Sequence, residues 1–201
     1  MHIFKYGQAE LNYLKKRDEA LGAAIERIGM VEFEVVPDLF AGLVKSIITQ
    51  QISTKAASSI WKRMLGHFGE ITPETILCAT TEDIQKCGLS MRKAGSIIGV
   101  ARAQMQGDLN LSELHKLSDE EVIRRLSSLN GIGIWTAEML LIFSMERPDV
   151  VSWGDLGIQQ GMMRLYGLQT LTREQFEEYR KRYSPYGSVA SLYLWRLPPD
   201  L

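Results

Sequence analysis

Apolar residues return every three or four positions along almost the whole chain, and that period commits it to helices. Leu11, Leu14, Leu21, Ile25 and Ile28 give a first amphipathic stretch. Phe40, Leu43, Val44, Ile47 and Ile48 give a second; after a break at Ile52-Ser53-Thr54 come Ala56, Ala57, Ile60, Trp61 and Met64. Alternation, the mark of a strand, is confined to Val31-Glu32-Phe33-Glu34-Val35 and stops at Pro37, enough for a short extended link at most. Start signals recur. Thr72-Pro73 sets a capping residue before proline at the first helical position. Ser118 with Glu121, and Thr172 with Gln175, have capping-box spacing. Gly66, Gly69, Gly88 and Gly107 punctuate the expected helix ends. The expectation is an all-α fold of about ten helices.

A chain of 201 residues, 45% of them hydrophobic, can bury a real core as one unit or two small lobes. No apolar run is long enough to span a membrane. The start, Met1-His2-Ile3-Phe4-Lys5-Tyr6, is charged too soon for a cleaved signal peptide, so an intracellular protein is expected. Cys78 and Cys87 are too few for a disulfide framework, a four-thiolate zinc site or an iron–sulfur cluster. His2, His67 and His115 lack ligand spacing and read as surface or capping residues. The net charge of −1 argues against a binder that depends on many Lys/Arg–phosphate contacts. It leaves room for one that grips phosphate with the N–H groups of a helix start.

The segment Leu129-Asn130-Gly131-Ile132-Gly133-Ile134-Trp135-Thr136-Ala137 has that form. An apolar helix (Val122, Ile123, Leu126, Leu129) runs into Gly-Ile-Gly, and another (Thr136, Ala137, Leu140, Leu141) follows at once. Two glycines permit a hairpin turn and clear side chains from it, so a phosphate can reach the N–H groups opening the second helix. Ile132 between them can pack inward. An ordinary C-cap glycine and tight turn is the plainer alternative. A dinucleotide site is disfavoured, because no strand precedes the turn and Thr136 stands where a third glycine would be needed.

With this hairpin the sequence resembles the helix-hairpin-helix DNA glycosylases, particularly those similar to 3-methyladenine-DNA glycosylase II. It matches the family's Leu-Pro-Gly-Ile/Val-Gly-x-x-Thr-Ala except for Asn130 in place of proline. Ile48-Thr49-Gln50-Gln51-Ile52-Ser53 with Lys55-Ala56-Ala57 resembles the family's upstream cleft segment. Val151-Ser152-Trp153-Gly154-Asp155 carries an aspartate where the catalytic one is expected, and Tyr183 to Trp195 is similar to the last helix. Gly154 stands where close relatives often have an acidic residue, and Gly187 where arginine is expected.

The resemblance implies two lobes with the hairpin at the cleft: 37–155 as the hairpin lobe, and 1–36 with 156–201 as a second lobe made by both chain ends. It implies a monomer acting on damaged double-stranded DNA in base excision repair, with no cofactor required. Asp155 would stabilise the cation that develops on the sugar, or orient water; as a residue, it reads equally as an N-cap. Trp135 occupies the place where strand-cleaving relatives carry a lysine nucleophile, so hydrolysis without lyase chemistry is implied. Trp135 and Trp195 map to walls of a pocket for a flipped, alkylated purine, where stacking and cation–π attraction act; both also fit a core role. Met139 falls at a pocket position and fits the core equally well. Gln50 would stand beside the pocket and Gln51 would wedge into the duplex. Gly131, Ile132, Gly133 and Thr136 would hold the phosphate. The main-chain carbonyls of Ser127, Leu129 and Ile132 would hold a sodium or potassium ion. Two alternatives remain at this point: a glycosylase for oxidised, deaminated or mismatched bases, and a non-catalytic DNA-binding module.

Overall fold

A computed structural model describes residues 2–198; positions 1 and 199–201, the extremes of the expected second lobe, lie outside the described residues. The elements run β1 (His2–Ile3), α1 (Gln8–Arg17), α2 (Glu19–Ile28), β2 (Glu34–Val35), α3 (Leu39–Thr49), α4 (Thr54–Phe68), α5 (Pro73–Leu77) and α6 (Thr81–Lys86). Then follow α7 (Met91–Gln106), a 3-10 helix (Leu111–Lys116), α8 (Asp119–Ser127), α9 (Ile134–Phe143), α10 (Leu156–Leu165), α11 (Arg173–Tyr183) and α12 (Gly187–Arg196). The fold is all-α, with twelve α-helices among the described residues. The alternating stretch before Pro37 is more than a link. Glu34 and Val35 pair antiparallel with Ile3 and His2, and the Phe4 N–H donates to the Phe33 carbonyl at 2.9 Å. The chain divides into two compact units, Val36–Met145 and Met1–Val35 with Glu146–Leu201.

The unit Val36–Met145 is built on α3. Leu43, Val44, Ile47 and Ile48 are fully buried on it, and it packs against α4, α7 and α9. Helix α9 is apolar nearly all round, with Ala137, Leu140, Leu141 and Ile142 fully buried, and it rests on α3 and α8. Truncating one such leucine to alanine costs about 2–5 kcal/mol. Two punctuation signals behave differently from expectation. Gly66 lies inside α4, which runs on to a cap at Gly69. Ser118 caps α8 by accepting the Glu121 N–H at 3.3 Å, but the Glu121 carboxylate goes to Arg124 and Arg125, so only half the box forms. The pull of two arginines one turn away outweighs a neutral backbone donor.

In the other unit the first amphipathic stretch is two helices, not one. Asp18 ends α1 and caps α2, its Oδ1 accepting the Leu21 N–H at 2.9 Å. Its Oδ2 accepts the Tyr166 hydroxyl at 2.8 Å, and Tyr166 in turn lies 2.7 Å from the Tyr183 hydroxyl. Burial pushes both phenols well above the usual tyrosine range, so they stay protonated. Helix α12 is buried along nearly its whole length. Its serines bind the incoming segment: Ser188 Oγ donates to the Arg147 carbonyl at 2.6 Å and accepts the Val150 N–H at 2.9 Å, while Ser191 Oγ donates to the Val150 carbonyl at 3.0 Å. Asp149 accepts the Gly187 N–H at 3.0 Å and so caps α12. These bonds tie residues 147–150 to α12, within the same compact unit as the chain ends. They also account for Gly187, where a Cβ would run into Asp149 and Val151.

Candidate active site

The Asp149–α12 bonding delivers the chain to Asp155, which is 8% exposed and opens α10. One carboxylate oxygen, Oδ1, accepts both the Ile158 N–H and the Trp195 indole N–H, each at 2.9 Å. Asp155 is therefore an N-cap, and its cap oxygen is also gripped by a side chain from α12. Room for the indole comes from Gly157, where a Cβ would stand 2.8 Å from Trp195 Cδ1. Phe33 lies against Trp195 with ring centroids 6.1 Å apart, and the Arg196 guanidinium sits 4.8 Å over the Phe33 ring. A carboxylate at a helix N-terminus, held by two fixed donors, suits a developing cation.

The hairpin is built otherwise. Helix α8 closes with the Leu129 N–H on the Leu126 carbonyl, and the Ile132 N–H returns to the Leu129 carbonyl, both at 3.1 Å. Ile132 is buried, 4% exposed. The two glycines have different reasons. Gly131 has φ 83°, and a Cβ there would collide with Ser96 on α7, so the fold itself requires glycine. Gly133 has φ −100°, and a Cβ there would meet nothing. Its bareness serves no internal packing. It precedes α9, which has no side-chain cap, so the helix N-terminus carries no side chain at its cap position. Gln50 Nε2 donates to the Gly131 carbonyl at 3.0 Å and to Thr136 Oγ1 at 2.9 Å, and Thr136 is buried. Gln51 is exposed with φ 54°. Trp135 is half-buried, and Met139, one turn along α9, is 4% exposed. Ser127 Oγ is buried without a hydrogen-bond partner. No group of three or more His, Cys, Asp or Glu among the described residues could hold a metal ion.

The model of the HhH-GPD superfamily of base excision DNA repair proteins matches residues 44–185, a span containing the hairpin and Asp155. The chain belongs to that superfamily. It is 36% identical over 159 residues to DNA-3-methyladenine glycosylase 1 of Schizosaccharomyces pombe, covering 77% of this chain and 70% of that one. Among solved structures it resembles a DNA-3-methyladenine glycosidase from Bacillus halodurans (TM-score 0.79, 37% identity, 98% and 92% of the two chains). It also resembles the Schizosaccharomyces pombe 3-methyladenine DNA glycosylase Mag1 in complex with abasic DNA (TM-score 0.85, 31% identity, 94% and 96%).

Within this HhH-GPD chain the site residues fall into two groups. Asp155 and Trp195 meet in the unit of the chain ends. Gln50, Gln51, Trp135, Met139 and the hairpin residues belong to Val36–Met145. Sequence reasoning missed three neighbours. Phe33 carried one faint signal, its place in the alternating stretch beside Val31 and Val35. Gly157 carried none, since only the indole above it gives its bareness a reason. Lys93, which donates from α7 to the Ile48 and Gln50 carbonyls at 2.8 and 2.6 Å, looked like any helix-surface lysine. No described helix is long and apolar enough to cross a membrane.

Proposed function

We propose that the protein is a monofunctional DNA glycosylase that flips alkylated purines, such as 3-methyladenine and 7-methylguanine, out of duplex DNA and hydrolyses the glycosidic bond. The observation that carries this reading is the Asp155 carboxylate at the start of α10, fixed by Trp195 and Ile158. As the bond to the base lengthens, positive charge grows on the sugar, and a preplaced carboxylate stabilises it without reorganising. An alkylated purine already carries a positive charge as leaving group, so little acid catalysis is needed. Trp135 and Trp195 offer π-faces to such a base. Met139 lies one turn along α9 from Trp135, and Gln50 would stand beside the base. Trp135 carries no amine, which supports hydrolysis without a covalent sugar adduct.

The backbone around Gly131, Ile132, Gly133 and Thr136 grips a phosphate of damaged double-stranded DNA, and Gln51 enters the space the base leaves. The carbonyls of Ser127, Leu129 and Ile132 suit a sodium or potassium ion beside that phosphate: neutral oxygens in a tight turn match a monovalent cation. Leu129 spends one lone pair on Ile132, and the orphaned Ser127 hydroxyl lies in the same turn. No redox or organic cofactor enters the chemistry. One chain carries carboxylate and clamp, so we read it as acting as an intracellular monomer. The test is to treat DNA with a methylating agent, add the protein and identify released bases by mass spectrometry. Release of 3-methyladenine and 7-methylguanine from an uncut strand is expected. Release of 8-oxoguanine alone from suitably damaged DNA, or borohydride trapping of a protein–DNA adduct, would overturn the assignment.

A further inference from the structure

Helix α3 ends at Thr49, and the last carbonyls of a helix have no partner within it. Here Lys93 supplies one, donating to the Ile48 and Gln50 carbonyls. An ammonium is favoured in that place by charge-assisted bonding and by the helix dipole. Burial, helped by Arg92, pushes the Lys93 amine below the usual lysine range, so the two carbonyls stand in for lost water. The turn it grips is strained: Gln51, with a Cβ, holds φ 54°. Such a conformation is costly for a residue with a Cβ and persists only where neighbours enforce it. Gln50 commits its side-chain amide to the hairpin at Gly131 and Thr136. One turn along α7 from Lys93, Ser96 packs directly under Gly131. A single helix thus supports both the turn after α3 and the hairpin.

We propose that Lys93 is a positioning residue: by fixing the Gln50–Gln51 turn and, through Gln50, the hairpin, it makes wedge and phosphate clamp one rigid device. The use of the device rests on the glycosylase reading; the lock is a property of the free protein. Forcing a stacked base out of a duplex needs a wedge that does not yield while the phosphate is held. A base that is already unpaired needs it far less.

Two measurements test this. The first is amide hydrogen exchange of the free protein over residues 49–54 and 130–136. Lys93→Met keeps the unbranched stem and removes the donors, and exchange should quicken about tenfold or more in both segments together. Lys93→Arg should restore protection. Gln50→Ala, which leaves Lys93 its carbonyls, should release the hairpin segment alone. Quickening confined to 49–54 in Lys93→Met, or absent from both segments, overturns the lock. The second is single-turnover release of 7-methylguanine placed opposite cytosine or opposite an abasic-site analogue. Lys93→Met should lose about tenfold opposite cytosine and about twofold or less opposite the abasic analogue, with Lys93→Arg recovering the loss. Equal losses on both, or a salt dependence of binding shallower by about one phosphate, would make Lys93 a phosphate contact instead. If the wild type releases no base from either duplex, the glycosylase reading falls, and the exchange experiment still decides the lock.

Discussion

Around Asp155 the functional atoms belong to side chains, brought from distant parts of the sequence, buried and hydrogen-bonded. Around Gly131 and Gly133 the groups proposed to act belong to the main chain, and the cap position of α9 carries no side chain. On the proposed reading, the contrast follows from what each region would meet. A cation developing at one atom needs a charge fixed to within a fraction of an ångström, which two donors on Oδ1 supply. A phosphate recurs along every duplex and carries no sequence information, so uncapped N–H groups at a helix start suffice. Substitutions should therefore separate the regions, one failing in rate and the other in grip.

The largest effect is expected at Asp155. Asn caps a helix about as well as Asp, so Asp155→Asn should keep the bond to Ile158 and the fold. It removes the charge. Single-turnover excision should fall by about 10²–10³-fold or more while affinity for duplex DNA stays within about twofold. Near-normal excision would end the assignment, and a parallel loss of affinity would break the contrast from the other side.

The glycines come next, and the structure predicts opposite outcomes for them. Gly131→Ala meets a left-handed backbone and Ser96 together, and should cost about 2–4 kcal/mol of stability by denaturant titration. Gly133→Asp meets open space at an ordinary φ, and stability should hold. Its carboxylate would instead repel phosphate at the helix start, weakening binding to all duplexes alike by about tenfold or more. If Gly133→Asp unfolds the protein, or binds normally, the bare turn has another purpose.

How much of this could be read beforehand follows the same division. The hairpin lies in nine consecutive residues, Leu129 to Ala137, and local sequence carries it almost whole; what it conceals is that Gly131 answers to Ser96 on α7 while Gly133 answers to nothing inside the protein. Helix caps such as Thr72 and Thr172 are equally local. The catalytic role of Asp155 comes from the family resemblance and stands as a proposal, while its place as a cap was legible because that signal sits in its own segment. That Trp195 holds it was not, since no period or spacing links residues forty positions apart. Lys93 and Gly157 share that fate: each is explained only by a partner from another helix. Asp18 shows the opposite failure, a helix break hidden because apolar periodicity runs unbroken across it.

Trp195 sharpens the comparison, having two parts to separate. Trp195→Phe keeps an aromatic face and removes the N–H from Asp155. Hydrogen bonds to charged groups contribute about 1.5–3 kcal/mol, part of which should appear in the rate as about a tenfold loss for every base. The preference for 7-methylguanine over hypoxanthine should persist. Trp195→Leu removes the π-face as well, and should both slow excision and narrow that preference. Single-turnover rates for the two bases with the three proteins decide it. If both variants lose rate equally with no change in preference, Trp195 acts on Asp155 alone.

The smallest effect is expected at Ser127, where the main-chain account of the hairpin is most exposed to contradiction. Its hydroxyl is buried without a partner, a condition that costs about 1–3 kcal/mol when nothing relieves it. If the turn serves DNA and a cation through carbonyls and N–H groups alone, Ser127→Ala deletes an unsatisfied atom and leaves every functional one. Alanine also suits the last turn of α8 better than serine. The melting temperature should then hold or rise by up to about 3 °C, and affinity for duplex DNA in sodium or potassium chloride should stay within about twofold. A cation that used the hydroxyl as well as the carbonyls would give the reverse. Binding would weaken, and the loss would depend on which of the two salts was present, because a ligand set one oxygen short discriminates differently between ions of different size. That result would show the hairpin to share with Asp155 the reliance on a buried side chain that otherwise separates them.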